Sequence, residues 1–149
     1  MKNEKGVALI VLLLILVAVG FVAFSGVKYA QQYAENQKKE DIKANMLAIQ
    51  SVITNINNKH TIDEENNLLV GANLELENNQ TGYEISEELK NSLLTLESAN
   101  LYILNQEELN NLGIKDITVN NTEFFVVDYN SGEVFYSLGI NGKYKLSEI

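Results

Sequence analysis

The pattern of apolar and polar positions divides the chain into an amino-terminal part and a longer distal part. Residues 1–6 are polar, and none of the 21 residues from Val7 to Val27 is charged. As an α-helix rising 1.5 Å per residue, this apolar run would be about 32 Å long, close to the roughly 30 Å hydrocarbon core of a bilayer. It lacks the polar stripe of a helix in a soluble core. The pattern predicts a transmembrane helix over 7–27, preceded by a short leader of residues 1–6.

A cleaved secretory signal peptide is the competing interpretation of the same segment. Ala23-Phe24-Ser25, followed by Gly26, loosely matches a small-residue cleavage site. The apolar run before Ala23 has about 16 residues, which is longer than the roughly 7–15 residues usual in signal peptides. We therefore favour a retained helix over removal near Ser25.

Charge alone does not fix the orientation of the predicted span. Lysines lie on both sides of it, at Lys2 and Lys5 before the run and at Lys28, Lys38 and Lys39 after it. Because the positive-inside rule compares the lysines and arginines on the two sides, it gives no decision here.

Residues 28–59 are predicted to continue the helix as an amphipathic segment. The whole chain contains no proline, and one apolar residue recurs every three or four positions. This stripe consists of Ile42, Met46, Ile49, Ile53 and Ile56. Tyr29 and Tyr33 begin a similar row nearer the apolar run. We favour packing on a domain core over a coiled-coil dimer, because the stripe is short and lacks clear charge pairing beside it.

Residues 60–149 are predicted to form a small α+β domain. Ser86 is a predicted N-cap ahead of two glutamates, and Asn105-Gln106-Glu107-Glu108 has the pattern of a capping box, with Gly113 ending that helix. Strand-like runs at Phe124–Asp128 and Glu133–Tyr136 flank a glycine-containing turn. Asn141-Gly142 predicts a second hairpin, and hence a three-stranded antiparallel meander packed on the long helix. Two short apolar runs, Leu68–Val70 and Leu74–Leu76, are expected to be either strands or loop anchors, and Leu101–Leu104 is expected to be a short buried run.

Composition excludes several classes of function. The net charge of −9 argues against a nucleic-acid binder, which needs a basic surface. The absence of cysteine rules out disulfides and thiolate sites, and a single histidine, His60, rules out a multi-histidine metal site. No phosphate-binding loop, dinucleotide fingerprint or serine elbow is present. We therefore expect neither enzymatic activity, nor a cofactor, nor a metal centre.

The remaining polar clusters have plain structural interpretations. His60 is expected to cap the end of the long helix, where a cation suits the helix dipole. Asp128–Glu133 faintly resembles a calcium loop but lacks the full ligand set, so a hairpin turn is favoured. Asp63-Glu64-Glu65 is expected to be a solvated turn. Asn79-Gln80-Thr81 and Asn120-Asn121-Thr122 match the glycosylation pattern, which matters only in a eukaryotic secreted protein.

Lys5-Gly6, followed by the apolar run and a long continuing helix, resembles the class III signal of bacterial type IV pilins and type II secretion pseudopilins. The resemblance implies that a prepilin peptidase cleaves after Gly6 on the cytoplasmic side and methylates the new amino terminus at Val7. It also implies a single-pass protein of the cell membrane, with a cytoplasmic amino terminus and an extracytoplasmic distal domain. Its expected partners are the lipid bilayer, the peptidase and other pilin-like subunits.

The chain departs from the family pattern at informative positions. Val7 replaces the usual Phe or Met, and Val11 stands where the family usually has a Glu that pairs with a neighbouring subunit's terminal amine. The usual helix-breaking proline is also missing. Because a carboxylate in hydrocarbon is costly and is kept only for a function, its absence favours a minor, initiating or tip-like subunit, or a divergent member.

Two classes of function follow. The first is a structural pilin-like subunit, either a pseudopilin or a minor pilin, of a secretion or pilus-type filament. The second is a single-pass, membrane-anchored extracytoplasmic binding module that does not assemble. The sequence leaves open whether such a filament would serve secretion, adhesion, motility or DNA uptake.

Overall fold

A computed structural model describes residues 2–115 and 117–149, with the side chains of residues 2–5 and 20–25 outside that description. The longest element is helix α1, Lys2–Ile62, of 61 residues. By its internal contacts the chain divides into two compact units at the boundary between Glu40 and Asp41. The long amino-terminal helix predicted from the sequence is confirmed.

The end of α1 lies three residues beyond the predicted limit at Lys59. Lys59 and His60 occupy the last helical turn, where positive charge suits the exposed carbonyl groups. Within the residues described, no helix combines the length and apolar character needed to cross a membrane. The predicted span over 7–27 includes residues 20–25, whose side chains are not described.

The second unit, Asp41–Ile149, is called the distal unit below. It contains a five-stranded antiparallel sheet, in which the strands are ordered as in the chain. The predicted meander corresponds to β3 (Phe125–Asp128), β4 (Glu133–Ile140) and β5 (Lys143–Lys145). The prediction of three strands was incomplete, since β2 (Leu101–Leu104) pairs with β3 and β1 (Ala72–Asn73) pairs with β2. β2 is apolar on both faces, so its sequence lacks the alternation that reveals a strand.

Both predicted hairpins are present. β3 and β4 are joined through Tyr129–Gly132, where Gly132 has a φ of 72°. β4 and β5 are joined at Asn141 and Gly142, whose φ values of 53° and 75° match the left-handed pair that a type I′ turn requires.

The α1 stripe packs on one face of the sheet, as predicted. Met46, Ile49 and Ile53 are buried, with Ile42 and Ile56 half-buried beside them. Only alternate strand residues meet this stripe, because successive side chains on a strand point to opposite faces. The residues of β3 and β4 on this side are Phe125, Val127, Val134, Tyr136 and Ile140.

The opposite face of the sheet is covered by helix α2, Glu87–Leu93. Leu89 and Leu93 pack there against Phe124, the residue before β3, and against a second set of strand residues: Leu101, Ile103, Val126 and Phe135. The Ser86 side chain accepts a hydrogen bond from the Leu89 amide, which confirms the predicted cap. Helix α3, Gln106–Asn111, begins with the predicted capping box at Asn105 and Glu108.

Two polar contacts also join α1 to the rest of the distal unit. The Gln50 side-chain amide donates to the Gly132 carbonyl at 2.9 Å, at the β3–β4 turn. The Lys43 ammonium donates to the Ile149 main-chain oxygen at 2.8 Å. The distal part of α1 is therefore an integral element of the 41–149 unit.

Candidate assembly surface

The first part of α1 presents apolar side chains to its surroundings without interruption. Between Val7 and Val19 the exposed fractions of the large apolar side chains run from 48% at Val11 to 68% at Leu9. Successive helical residues are rotated by about 100°, so a run of exposed residues covers every side of the helix. Soluble monomers rarely expose a continuous apolar surface of this kind, which indicates an interaction surface.

The geometry of this surface limits what can cover it. A single partner helix would shield one stripe and leave the remaining sides in contact with water. Complete coverage requires either lipid chains or several neighbouring helices around α1. We call residues 7–19 the apolar surface of α1.

The residues predicted to be processed lie at the start of this surface. Gly6 is inside α1, and a Cβ placed on it would meet no atom within 4 Å. Among the residues that the structure describes, no packing contact therefore requires glycine at position 6. Val7 is exposed, and the side chain of Lys5 lies outside the described part of the structure.

Val11 lies one helical turn after Val7, on the same side of α1, because residues four apart are neighbours on a helix surface. Its side chain is exposed and belongs to neither hydrophobic core of the described structure. A carboxylate at this position would therefore be accessible to another molecule rather than buried inside this chain.

The Asp128 turn is a hydrogen-bonded hairpin connection. The buried Asp128 carboxylate accepts from the backbone amides of Asn100 at 2.7 Å, Asn130 at 3.2 Å and Ser131 at 3.1 Å, and also from the Ser131 hydroxyl. Glu133 accepts from the Ser147 amide at 3.1 Å. Among the residues described, no group of three His, Cys, Asp or Glu side chains could hold a metal ion.

The other polar residues singled out from the sequence make local contacts. His60 Nδ1 donates to the Asn67 carbonyl at 2.7 Å, closing the chain back on the end of α1. Asp63 is exposed and accepts from the side chain of Asn66, an interaction that lowers the pKa of Asp63. These contacts fit the expected helix end and solvated turn.

Sequence reasoning missed a buried tyrosine contact. The Tyr129 hydroxyl donates to the Val70 carbonyl at 2.7 Å and accepts from the Val70 amide at 3.1 Å. Burial raises the pKa of Tyr129 to about 12. A buried tyrosine hydroxyl usually has a hydrogen-bond partner, so the sequence could have indicated that Tyr129 needs one. The sequence around Tyr129 does not identify Val70 as that partner.

The Tyr129 contact predicts a specific alkaline sensitivity of the distal unit. A free tyrosine has a pKa of about 10, so the unfolded chain loses this proton before the folded chain does. The resulting stabilisation is fully present below about pH 10 and is lost as the pH rises towards 12. In a fragment of residues 28–149, the free energy of unfolding should fall less steeply over this range in Tyr129→Phe than in the wild type.

Chemical denaturation at several pH values provides the measurement. Tyr33→Phe, at an exposed position of α1, is the matched control and should keep the wild-type profile. Equal slopes for Tyr129→Phe and the wild type would contradict the assignment of this proton to Tyr129.

A shallow polar depression lies beside the edge strand β1. It encloses about 410 Å³ and is lined by Asn73, Glu75, Asn78 and Gln80. Three of these side chains are neutral amides, and the fourth carries one negative charge. These four side chains can form hydrogen bonds to water, but they do not include a nucleophile with an adjacent base.

Comparison of the chain with protein-family models, with curated proteins and with solved structures gives no match. The resemblance carried by Lys5-Gly6 and the apolar run stays a prediction. The candidate site is therefore defined by this chain's own features: Gly6 and Val7 at the start of the apolar surface, and Val11 upon it.

Proposed function

We propose that this chain is a structural, pilin-like subunit of a bacterial type II secretion or type IV pilus-type filament. It would be held in the cell membrane by residues 7–27, with a cytoplasmic amino terminus and an extracytoplasmic distal unit, until it enters the filament. The observation that carries the proposal is the all-round exposure of apolar side chains on α1. Such a surface suits both environments of a pilin-like subunit, lipid before assembly and a bundle of neighbouring helices afterwards.

The continuity of α1 supports assembly over simple anchoring. An anchor requires only an apolar run and a connection to the folded domain, for which a flexible linker is sufficient. Here residues 28–40 are helical, and the same helix provides the stripe on which the distal core is built. This arrangement resembles that of pilin-like subunits, in which one helix serves both the filament core and the globular domain.

Processing after Gly6 is the decisive test. Mass spectrometry of the protein extracted from membranes should show the loss of six residues and the gain of one methyl group on Val7. Gly6 replaced by a bulky residue should not be cleaved, although a side chain at this position meets open space in the fold. A loss of cleavage would therefore report recognition by the peptidase rather than misfolding.

Gly26 supplies the matched control. It is also a glycine of α1 with no atom within 4 Å of an added Cβ. Gly26→Ala should be processed as efficiently as the wild type. An intact Met1 in cells with an active prepilin peptidase would contradict the proposal and favour the membrane-anchored binding module, and a new terminus near Gly26 would indicate a secreted protein.

A further inference from the structure

Tyr29 and Tyr33 differ from every other tyrosine of the chain. Their exposed fractions are 74% and 68%, and they lie one turn apart on the same side of α1. The other five of the seven tyrosines are buried or half-buried in the distal unit: Tyr83, Tyr102, Tyr129, Tyr136 and Tyr144. Exposed tyrosine rings at helical spacing are not needed for the core, so their position calls for another explanation.

Their place along the helix matches the far boundary of a bilayer. Tyr29 follows Val27, the last residue of the uncharged run, and Lys28, the first charged residue after it. At 1.5 Å per residue, Tyr29 lies about 33 Å and Tyr33 about 39 Å from Val7 along the helix axis. If the roughly 30 Å hydrocarbon core begins at Val7, the far headgroup layer, roughly 5–8 Å thick, contains the backbone of Tyr29 and ends just before that of Tyr33. Because helical side chains lean towards the amino terminus of their helix, the Tyr33 ring reaches back to this layer.

We infer that Tyr29 and Tyr33 form an interfacial anchor, which docks into the extracytoplasmic phospholipid headgroup layer and sets the depth of the chain in the membrane. The inference rests on the proposed function, since it requires the apolar run to lie in a bilayer. A tyrosine ring places its apolar body against acyl chains and its hydroxyl among headgroups and water, which is why tyrosine concentrates at membrane interfaces.

The residues around the two rings favour lipid over a protein groove. The apolar surface of α1 covers all sides, whereas beyond Val27 the other sides become polar with Gln31, Gln32 and Glu35. The row that contains both rings itself becomes polar at Gln37. A helix–helix contact two turns long is too short to be stable alone. A helix that is apolar on all sides, then carries tyrosines on one side and then becomes polar is typical of a segment that leaves the lipid for water.

The absence of tryptophan from the chain allows a direct test of depth. Single variants of the full chain, Tyr29→Trp and Tyr33→Trp, are reconstituted into phosphatidylcholine–phosphatidylglycerol vesicles. Tryptophan emission is then compared between lipids brominated near the headgroup and lipids brominated near the chain end. We expect blue-shifted emission and stronger quenching by the shallow bromines than by the deep ones for both variants.

Two further variants calibrate the depth scale. Leu16→Trp, near the middle of the apolar run, should be quenched most by deep bromines. Gln37→Trp lies on the same side of α1 as the two tyrosines, one turn beyond Tyr33, and should emit as in water with little quenching.

The outcomes separate this inference from the proposed function. If Leu16→Trp is quenched by deep bromines but Tyr29→Trp and Tyr33→Trp emit as in water, the interfacial anchor is overturned and the membrane location stands. Deep quenching at positions 29 and 33 would also overturn the anchor, because the rings would lie in the hydrocarbon core. Water-like emission from Leu16→Trp would overturn both the anchor and the membrane location.

Discussion

Replacing Ile49 by alanine is expected to lower the free energy of unfolding of the distal unit by about 2–5 kcal/mol. Ile49 is fully buried in the core between α1 and the sheet, beside Met46 and Ile53. Removing its branched side chain loses the burial of the deleted methyl and methylene groups and leaves a cavity that the surrounding strands fill only in part. Chemical denaturation of a fragment of residues 28–149 gives the measurement.

Leu47 provides the control on the same helix. It is a large apolar residue two positions from Ile49, but 51% of its side chain is exposed. Leu47→Ala should change the free energy of unfolding by no more than about 0.5 kcal/mol, as expected for a surface substitution. A loss at Ile49 as small as that at Leu47 would show that the stripe does not stabilise the core.

The chain alone is expected not to form filaments, because of Val11. In pilin-like filaments an acidic residue at the equivalent position pairs with the terminal amine of a neighbouring subunit. Were this chain to pack against copies of itself, the methylated ammonium of Val7 would find no carboxylate in the apolar run. Burying an unpaired ammonium costs several kcal/mol per subunit, which opposes growth at every addition.

Expression of this chain with the assembly machinery, but without other pilin-like proteins, tests the expectation by electron microscopy of sheared surface fractions. No filaments should form until a subunit that carries the acidic residue is added. Long filaments of this chain alone would contradict the minor-subunit interpretation.

Two variants at position 11 isolate the role of charge. Val11→Glu should promote self-assembly, since it supplies the missing carboxylate on an exposed side of α1. The glutamine of Val11→Gln has nearly the same shape as this glutamate and can form hydrogen bonds, but it cannot neutralise an ammonium. The Val11→Gln chain should therefore not assemble.

Much of the candidate assembly surface could be predicted from the sequence. The apolar character of an uncharged run of 21 residues can be read directly from the sequence, because it depends only on which residues the run contains. The structure adds that these side chains are exposed between Val7 and Val19 and that Gly6 meets no packing constraint. The exposure of Tyr29 and Tyr33 was harder to predict, since aromatic residues are by default expected in the core.

The sequence by itself determined the elements whose signals are local. The apolar stripe of α1, the caps at Ser86 and Asn105, and the turn at Asn141-Gly142 each depend on residues within a few positions of one another, so a pattern of side chains was enough. Only the tertiary structure decided the pairing of β1 and β2, the division of strand residues between two cores, and the contact of Tyr129 with Val70, 59 positions away. These features depend on which distant segments meet, and a strand of two residues such as β1 is stabilised by its neighbour rather than by its own side chains.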